Sequence, residues 1–413
     1  MTRRYFQSVQ NLKLLCLILA VLAVSTGWFF WSRPADASQP TLRGSIYDRS
    51  GRVLAVSHAA KSLFANPREL QDPDGLANRL APLLNTPVET LRIRLKALGS
   101  FVWLKRSLEP AEYSRVAEFV QQEKVRGLDF IAESRRVYPQ DQLAAHVLGF
   151  VGTEDKGLAG IELSMDAVLK GQSLYLTLDS ELQAAVERSL DEALARTEAR
   201  SVSMIVMNPQ TGEVLAMASR PAFNPNAFFR YPEQVWRNPA IATIPLTAGN
   251  NEWLQSHAEA LGFGKPTGIE LPGEEAGSVP VLAVTPLQLL SAVSALANSG
   301  ELLKPRIIKA SPPQLVRQAV SPELAQQLAT VAGYRFAGQT GSAGSAGDDG
   351  SDADSCRAVD SYAGFWPLAE GQLTGLAVVD GRCGLPQGGV DAASIFNAAM
   401  AKVGQAAKLT PGR

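Results

Sequence analysis

The sequence predicts an α+β protein carried on an N-terminal transmembrane helix, and three observations lead to that expectation. An uncharged apolar run of 18 residues, Leu14 to Trp31, stands near the start of the 413-residue chain. Beyond it, strand-like and helix-like patterns are mixed, with no fixed-period repeat that would suggest a solenoid or propeller. From about residue 173 the order helix, hairpin, helix, three strands, helix predicts an antiparallel five-stranded sheet flanked by helices.

The apolar run is long enough to cross a bilayer. Arg3, Arg4 and Lys13 precede it without an acid among them, and such a positive flank stays cytoplasmic, which exports the rest of the chain. A cleaved signal peptide is the competing reading, because Ala35-Asp36-Ala37 resembles a cleavage site. Signal cores are usually about 7 to 15 residues, however, so the longer run favours a retained anchor. The chain beyond it is globular in composition, with 46% hydrophobic and 19% charged residues. Lys and Arg number 39 against 40 Asp and Glu, so no basic field recommends nucleic acid as a partner.

The turn-rich stretch 32–40 reads as a linker. From there to about 170, strand-like fragments (Ser45-Ile46-Tyr47, Val53-Leu54-Ala55-Val56, Ser62-Leu63-Phe64-Ala65) mix with amphipathic stretches such as Pro110 to Gln122. A helix is expected over Ser180 to Arg196, where Leu182, Ala185, Val186, Leu190 and Ala193 recur at helical spacing. The strands Ser203 to Met207 and Glu213 to Ala218 follow, joined by Asn208-Pro209-Gln210-Thr211-Gly212, which has hairpin turn chemistry. Thr285 to Asn298 reads as an apolar helix stopped by Ser299-Gly300. Strands at Arg335 to Gly338, Tyr362 to Trp366 and Leu373 to Val379 precede a closing amphipathic helix over Val390 to Val403. The acidic, aperiodic stretch Gly344 to Asp354 reads as a loop. The organisation is then a cytoplasmic tail (1–13), an anchor (14–31), a linker (32–40), a first domain (41–172), a second domain (173–405) and a tail (406–413).

Several phrases, in order, resemble the class B penicillin-binding proteins, the bacterial transpeptidases of septal and elongation peptidoglycan synthesis. Those of the first domain are Arg43-Gly44-Ser45-Ile46-Tyr47-Asp48-Arg49, Trp103-Leu104-Lys105-Arg106, Ser134-Arg135-Arg136-Val137-Tyr138-Pro139, Ala145-His146-Val147-Leu148-Gly149-Phe150 and Gly157-Leu158-Ala159-Gly160-Ile161-Glu162. The second contributes Asn208 to Met217, Phe263-Gly264-Lys265-Pro266-Thr267-Gly268 and Val284-Thr285-Pro286-Leu287-Gln288-Leu289. The resemblance implies a dimerisation-like pedestal at 41–172 and a transpeptidase-like domain at 173–405. It also implies a place in the bacterial cell membrane, with cell-wall or division membrane proteins as partners and with peptidoglycan contact.

The family's chemistry is acyl transfer through a serine whose lysine partner lies one helical turn later, with a Ser-x-Asn loop and a Lys-Thr-Gly strand. A serine hydroxyl needs such a base because it is a poor nucleophile at neutral pH. No serine in this chain has a lysine three residues later, and no Ser-x-Asn occurs. Both motifs belong between the phrase represented here by Arg237-Asn238-Pro239-Ala240-Ile241 and that represented by Leu261-Gly262-Phe263-Gly264. The interval, Ala242 to Ala260, is too short for the nucleophile helix and the second loop, so the helical subdomain reads as truncated. The strand motif survives as Gln339-Thr340-Gly341, where glutamine replaces a lysine suited to a substrate carboxylate. An ordinary strand is the plainer reading of these three residues.

No cofactor or metal is expected, because His58, His146 and His257 lie far apart and show no metal-ligand or triad spacing. His146 is expected to be packed and hydrogen-bonded, and Asp48, Arg49, Arg135 and Arg136 to form structural ion pairs. Cys16 lies in the apolar run, leaving Cys356 and Cys383 as the exported pair. If Trp366 opposes Leu373, opposed residues have numbers summing to 739, as do 356 and 383, so a cross-strand disulfide is expected. The function expected is a non-catalytic interaction or scaffold protein. The competing readings are an active transpeptidase using Thr340, Ser342 or Ser345 or completed by a partner chain, a peptidoglycan-binding sensor, and a decaying gene.

Overall fold

A computed structural model describes residues 42–197, 199–246, 256–279, 283–329, 333–340, 357–368, 371–382 and 391–406. The expected anchor at 14–31, its cytoplasmic tail, the linker and the last seven residues lie outside the described part. Among the described residues no helix is long and apolar enough to cross a membrane.

The chain divides into two compact units, one of Ala59–Arg135 and one of Leu42–His58 with everything from Arg136 onward. That division differs from the boundary expected near 172. In the first unit, helices Pro73–Leu84, Val88–Leu95 and Pro110–Glu123 accompany strand Val102–Leu108 and the parts of Val53–Ala65 and Leu128–Val137 that lie within it. Leu80, Leu84, Leu91, Leu95, Leu104 and Val116 form its core. The amphipathic stretch at Pro110 is indeed a helix, and Asp72 starts the earlier one by accepting the Gly75 N–H at 2.9 Å.

The second unit takes in Leu42–His58 because strand Ile46–Tyr47 pairs in parallel with Leu174–Tyr175 and antiparallel with Ala55 and Val53. A buried ionic cluster reinforces the assignment. Glu162 has no solvent exposure and accepts from Arg43 Nε at 2.6 Å on one carboxylate oxygen and from Arg136 Nε at 2.6 Å on the other. The Tyr138 hydroxyl adds a bond at 3.3 Å, and Arg43 also reaches the Glu162 carbonyl and the Asp166 carboxylate, each at 2.7 Å. Arg136 closes the circuit on the Gly44 carbonyl at 2.8 Å. The glycines of this region are packing requirements, since a Cβ on Gly157 would stand 1.8 Å from the Glu162 carbonyl oxygen.

The centre of this unit is the five-stranded sheet. Its strands are β1 (Ser201–Met207), β2 (Val214–Arg220), β3 (Gly333–Thr340), β4 (Arg357–Leu368) and β5 (Gly371–Arg382), ordered β3-β4-β5-β1-β2 with every neighbour antiparallel. Helices α1 (Ser180–Leu194) and α3 (Ala392–Ala406) cover one face, and α2 (Pro286–Ala297) the other. Alternation along β1 sorts the core, with Val202, Met204 and Val206 packing under α1 and α3 while Ile205 and Met207 join the cluster containing α2. Gly364 and Gly375 oppose each other, and a Cβ on either would come within 2.9 Å of the Phe396 ring, so two glycines make the seat for α3. Helix α2 is buried from Pro286 to Leu296, in keeping with its strongly apolar sequence, and opens on a reciprocal cap. Thr285 Oγ1 accepts the Gln288 N–H at 3.1 Å, and Gln288 Oε1 accepts the Thr285 N–H at 2.9 Å.

The ionic expectations resolve differently one by one. Asp48 is satisfied by hydrogen bonds rather than by its neighbour Arg49, accepting the N–H of Ser50 and Arg52 and the Ser180 hydroxyl at 2.7 Å. It thereby ties the 48–52 turn to the start of α1. Arg49 lies 3.6 Å from Glu213, Arg135 pairs with Glu109 in the first unit, and Arg136 serves the Glu162 cluster.

Removing one partner of a buried pair strands the rest of the charge. Glu162→Gln is therefore expected to destabilise the protein by about 3 to 5 kcal/mol, since it leaves Arg43 and Arg136 buried without their shared carboxylate. Urea unfolding of the variant beside the parent chain measures the loss.

Candidate functional site

The Gln339-Thr340-Gly341 motif singled out in the sequence marks one place where a site is sought. Gln339 and Thr340 close β3, the edge strand, opposite Ala358 and Arg357 of β4. Gly341, Ser342, Ser345, Cys356 and Cys383 lie outside the described residues. The β4–β5 register does pair Trp366 with Leu373, and it holds as far as Arg357 opposite Arg382, one step short of the two cysteines.

The second landmark is the seam where the nucleophile segment would be inserted. Asn238 accepts the Ala240 N–H at 3.0 Å and so caps the short 3-10 turn Pro239–Ile241. The chain then forms strand Ile244–Pro245, which pairs antiparallel with Ala283–Val284. Glu275 fastens the downstream side to the upstream one. Its carboxylate accepts the Thr243 N–H at 2.7 Å and the Thr243 hydroxyl at 2.6 Å, and its own N–H reaches the Ile241 carbonyl at 3.1 Å. Only residues 247–255 separate the described parts on either side.

A cleft of about 350 Å³ opens next to the seam, walled by Trp236, Asn238, Ile241 and Leu271 with the Ala159–Gly160 backbone and Glu275. Its polar groups have structural employment. Glu275 holds Thr243 and meets Arg237 at 3.2 Å, and the Asn238 amide reaches Met217 Sδ at 3.3 Å. His146, also in the wall, places Nε2 2.9 Å from the Val235 carbonyl and stacks edge-on against Phe223. Burial drives its pKa down to about 4, helped by the positive charge of Arg220 and opposed by the Val235 hydrogen bond. A neutral, core-packed imidazole results, in keeping with the sequence expectation. Elsewhere Ser256 Oγ lies 3.0 Å from His257 Nδ1, an exposed contact between chain neighbours just downstream of the seam. Among the described residues no group of three or more His, Cys, Asp or Glu side chains is gathered to hold a metal.

Sequence reasoning missed the buried polar fasteners. Besides Glu162 and Glu275 there is Glu187, which accepts the Ala144 N–H at 2.8 Å and pairs with Arg220, while Gln183 bonds both the N–H and the carbonyl of Met217. A charged or amide residue on the apolar face of a predicted helix, as Gln183 and Glu187 are on α1, was the available signal.

The comparisons with known proteins agree with this geometry. Residues 38–193 match the penicillin-binding protein dimerisation domain, and residues 202–245 and 248–401 match the penicillin-binding protein transpeptidase domain. The break in the second match falls at the seam. This chain belongs to the class B penicillin-binding proteins. It is similar to the peptidoglycan D,D-transpeptidase FtsI of Escherichia coli K12, at 35% identity over 238 residues, which is 49% of this chain and 40% of that protein. The chain thus matches well under two thirds of that relative. The probable peptidoglycan D,D-transpeptidase PbpC of Pseudomonas aeruginosa is 25% identical across 89% of this chain and 87% of its own length. That comparison runs over 496 positions, more than the 413 residues present, so PbpC carries stretches with no counterpart here. Among solved structures, penicillin-binding protein 2X of Streptococcus thermophilus shares the fold, with a TM-score of 0.64 at 16% identity over 91% of this chain and 82% of that one. A peptidoglycan synthetase from Bifidobacterium adolescentis does so with a TM-score of 0.61 at 17% identity, over 91% and 97% of the two chains.

A histidine held neutral by burial links stability to pH. Its folded pKa of about 4 lies below the unfolded value of about 6.5. The unfolded chain therefore binds the extra proton between those limits. The contribution is present in full above pH 6.5 and is lost as pH falls from there toward 4, amounting to roughly 3 kcal/mol. Unfolding free energies measured across that window should show the decline, and His146→Phe should flatten it.

Proposed function

We propose that this chain is a non-catalytic member of its family, acting as an interaction or scaffold component of bacterial cell-wall synthesis or division. It is anchored by Leu14–Trp31 as a single-pass membrane protein with a cytoplasmic N-terminus and the bulk outside. The observation that carries the reading is the seam. The sequence holds no serine with lysine one turn on and no Ser-x-Asn. At the place where both belong, the flanks are joined by the Ile244–Val284 pairing and by Glu275 on Thr243, with only nine residues between Leu246 and Ser256. Glutamine at 339 removes a further charge from the one remaining motif. Acyl transfer without an activated nucleophile has no starting step.

The surroundings favour a retained fold over decay. The sheet is continuous, both faces are covered, and the flanks of the seam are hydrogen-bonded to each other. Partners are then other membrane proteins of wall synthesis or division, with peptidoglycan as a further contact. Incubation of the full chain with a fluorescent penicillin is expected to give no covalent labelling. Stable acylation at any residue, Thr340 and Ser256 included, would sink the reading.

The cysteine pair belongs to the same proposal. Continued by one step, the β4–β5 register would bring Cys356 opposite Cys383, and a bridge closing that hairpin would contribute about 3 to 3.5 kcal/mol in the chain-entropy description. Peptide mapping of the exported protein under non-reducing conditions is expected to recover the two linked, whereas recovery of both as free thiols contradicts the pairing.

A further inference from the structure

A second concavity, of about 120 Å³ and sharing no wall residue with the cleft at the seam, lies between the Leu261–Thr267 segment and the hairpin of strands Glu301–Leu303 and Leu315–Gln318. Leu261 and Leu302 give it a buried apolar floor. Its charged lining consists of Lys265, Lys304 and Arg317, and no aspartate or glutamate lines it.

The three cations are held for reasons that do not use up their charge. Gln288 donates to the Lys265 carbonyl at 2.6 Å and to the Ala276 carbonyl at 2.8 Å, so the cap that opens α2 also fixes the turn carrying Lys265. Lys304 is half-buried against Gly268, where an added Cβ would stand 3.7 Å from its Nζ. Arg317 spends one N–H on the Glu259 carbonyl at 3.1 Å. The ammonium groups of Lys265 and Lys304 have neither an ion pair nor a hydrogen bond among the described residues. The neighbouring carboxylate of Glu274 is committed to the backbone N–H of Thr267 at 2.8 Å and of Gly268 at 3.0 Å.

Lys265 and Arg317 are exposed and Lys304 is half-buried, so three positive charges ring a small cavity that has an apolar floor and no carboxylate in its lining, which leaves an electrostatic demand for a counter-ion. An oxyanion meets it well, since a lysine offers a point charge and an arginine a fork of donors. We propose that this cavity binds one small oxyanion group, a carboxylate or a phosphate, between Lys265, Lys304 and Arg317. The size of the cavity limits the guest to a single such group, presented free or at the end of a larger molecule.

Isothermal titration of the full chain in detergent with inorganic phosphate, and separately with N-acetylglutamate, tests the site and separates the two sources. Binding of at least one probe is expected, weakened tenfold or more by Lys304→Gln and by Lys265→Gln. The exposed Lys156, which does not line the cavity, serves as control, and Lys156→Gln is expected to leave the affinity unchanged. Preference for phosphate points to a free or esterified phosphate, and preference for N-acetylglutamate to an acidic peptide. The probe that binds should also raise the thermal unfolding midpoint of the parent chain and not that of Lys304→Gln, whose own midpoint without the probe reports that it folds. Absence of binding by both probes, or binding indifferent to Lys304→Gln, overturns the proposal.

Discussion

The second unit depends on one buried carboxylate. Glu162 receives two guanidinium groups, from Arg43 and Arg136, and these three residues are far apart in sequence. Burying an ion is unfavourable unless its hydrogen bonds are met, so the cluster forms only when all three backbone segments are in place together. That requirement explains why Leu42–His58 and the segment after Arg136 fold with the large unit and not with Ala59–Arg135. It also explains the tight glycine at 157, whose missing side chain lets the Glu162 carbonyl approach.

The sheet is built on a different principle. Alternation sorts the side chains of β1 and β5 between its two faces, which are sealed by helices of different character. Helices α1 and α3 are amphipathic and cover one face, whereas α2 is mostly apolar and, with Gln288, Ser291 and Ser294 hydrogen-bonded, is buried over nearly its whole length. Polar fasteners then orient the pieces, with Gln183 and Glu187 holding α1 against β2 and Gln288 capping α2 while gripping the Lys265 turn. Apolar area supplies the drive, and directional hydrogen bonds select the arrangement.

At the seam the same economy is visible. The flanks make a short strand pair and share the Glu275 carboxylate, so the described residues on either side of 247–255 are hydrogen-bonded to each other. The cleft beside it is lined by side chains that already hold the fold together.

Much of this was legible in the residues themselves. The periods of 3.6 and 2 located α1, α2, α3 and all five strands to within a few residues, because alternation and helical spacing are local properties. The phrases of the family were legible for the same reason. Where Glu162 finds its charges, why Asp48 turns to Ser180 and not to Arg49, and how Gly364 with Gly375 seats Phe396 were decided only in three dimensions. So was the membership of Leu42–His58 in the large unit. Each of these rests on partners distant in the chain, and the desolvation that makes a buried charge or a close backbone approach decisive exists only once the chain has packed.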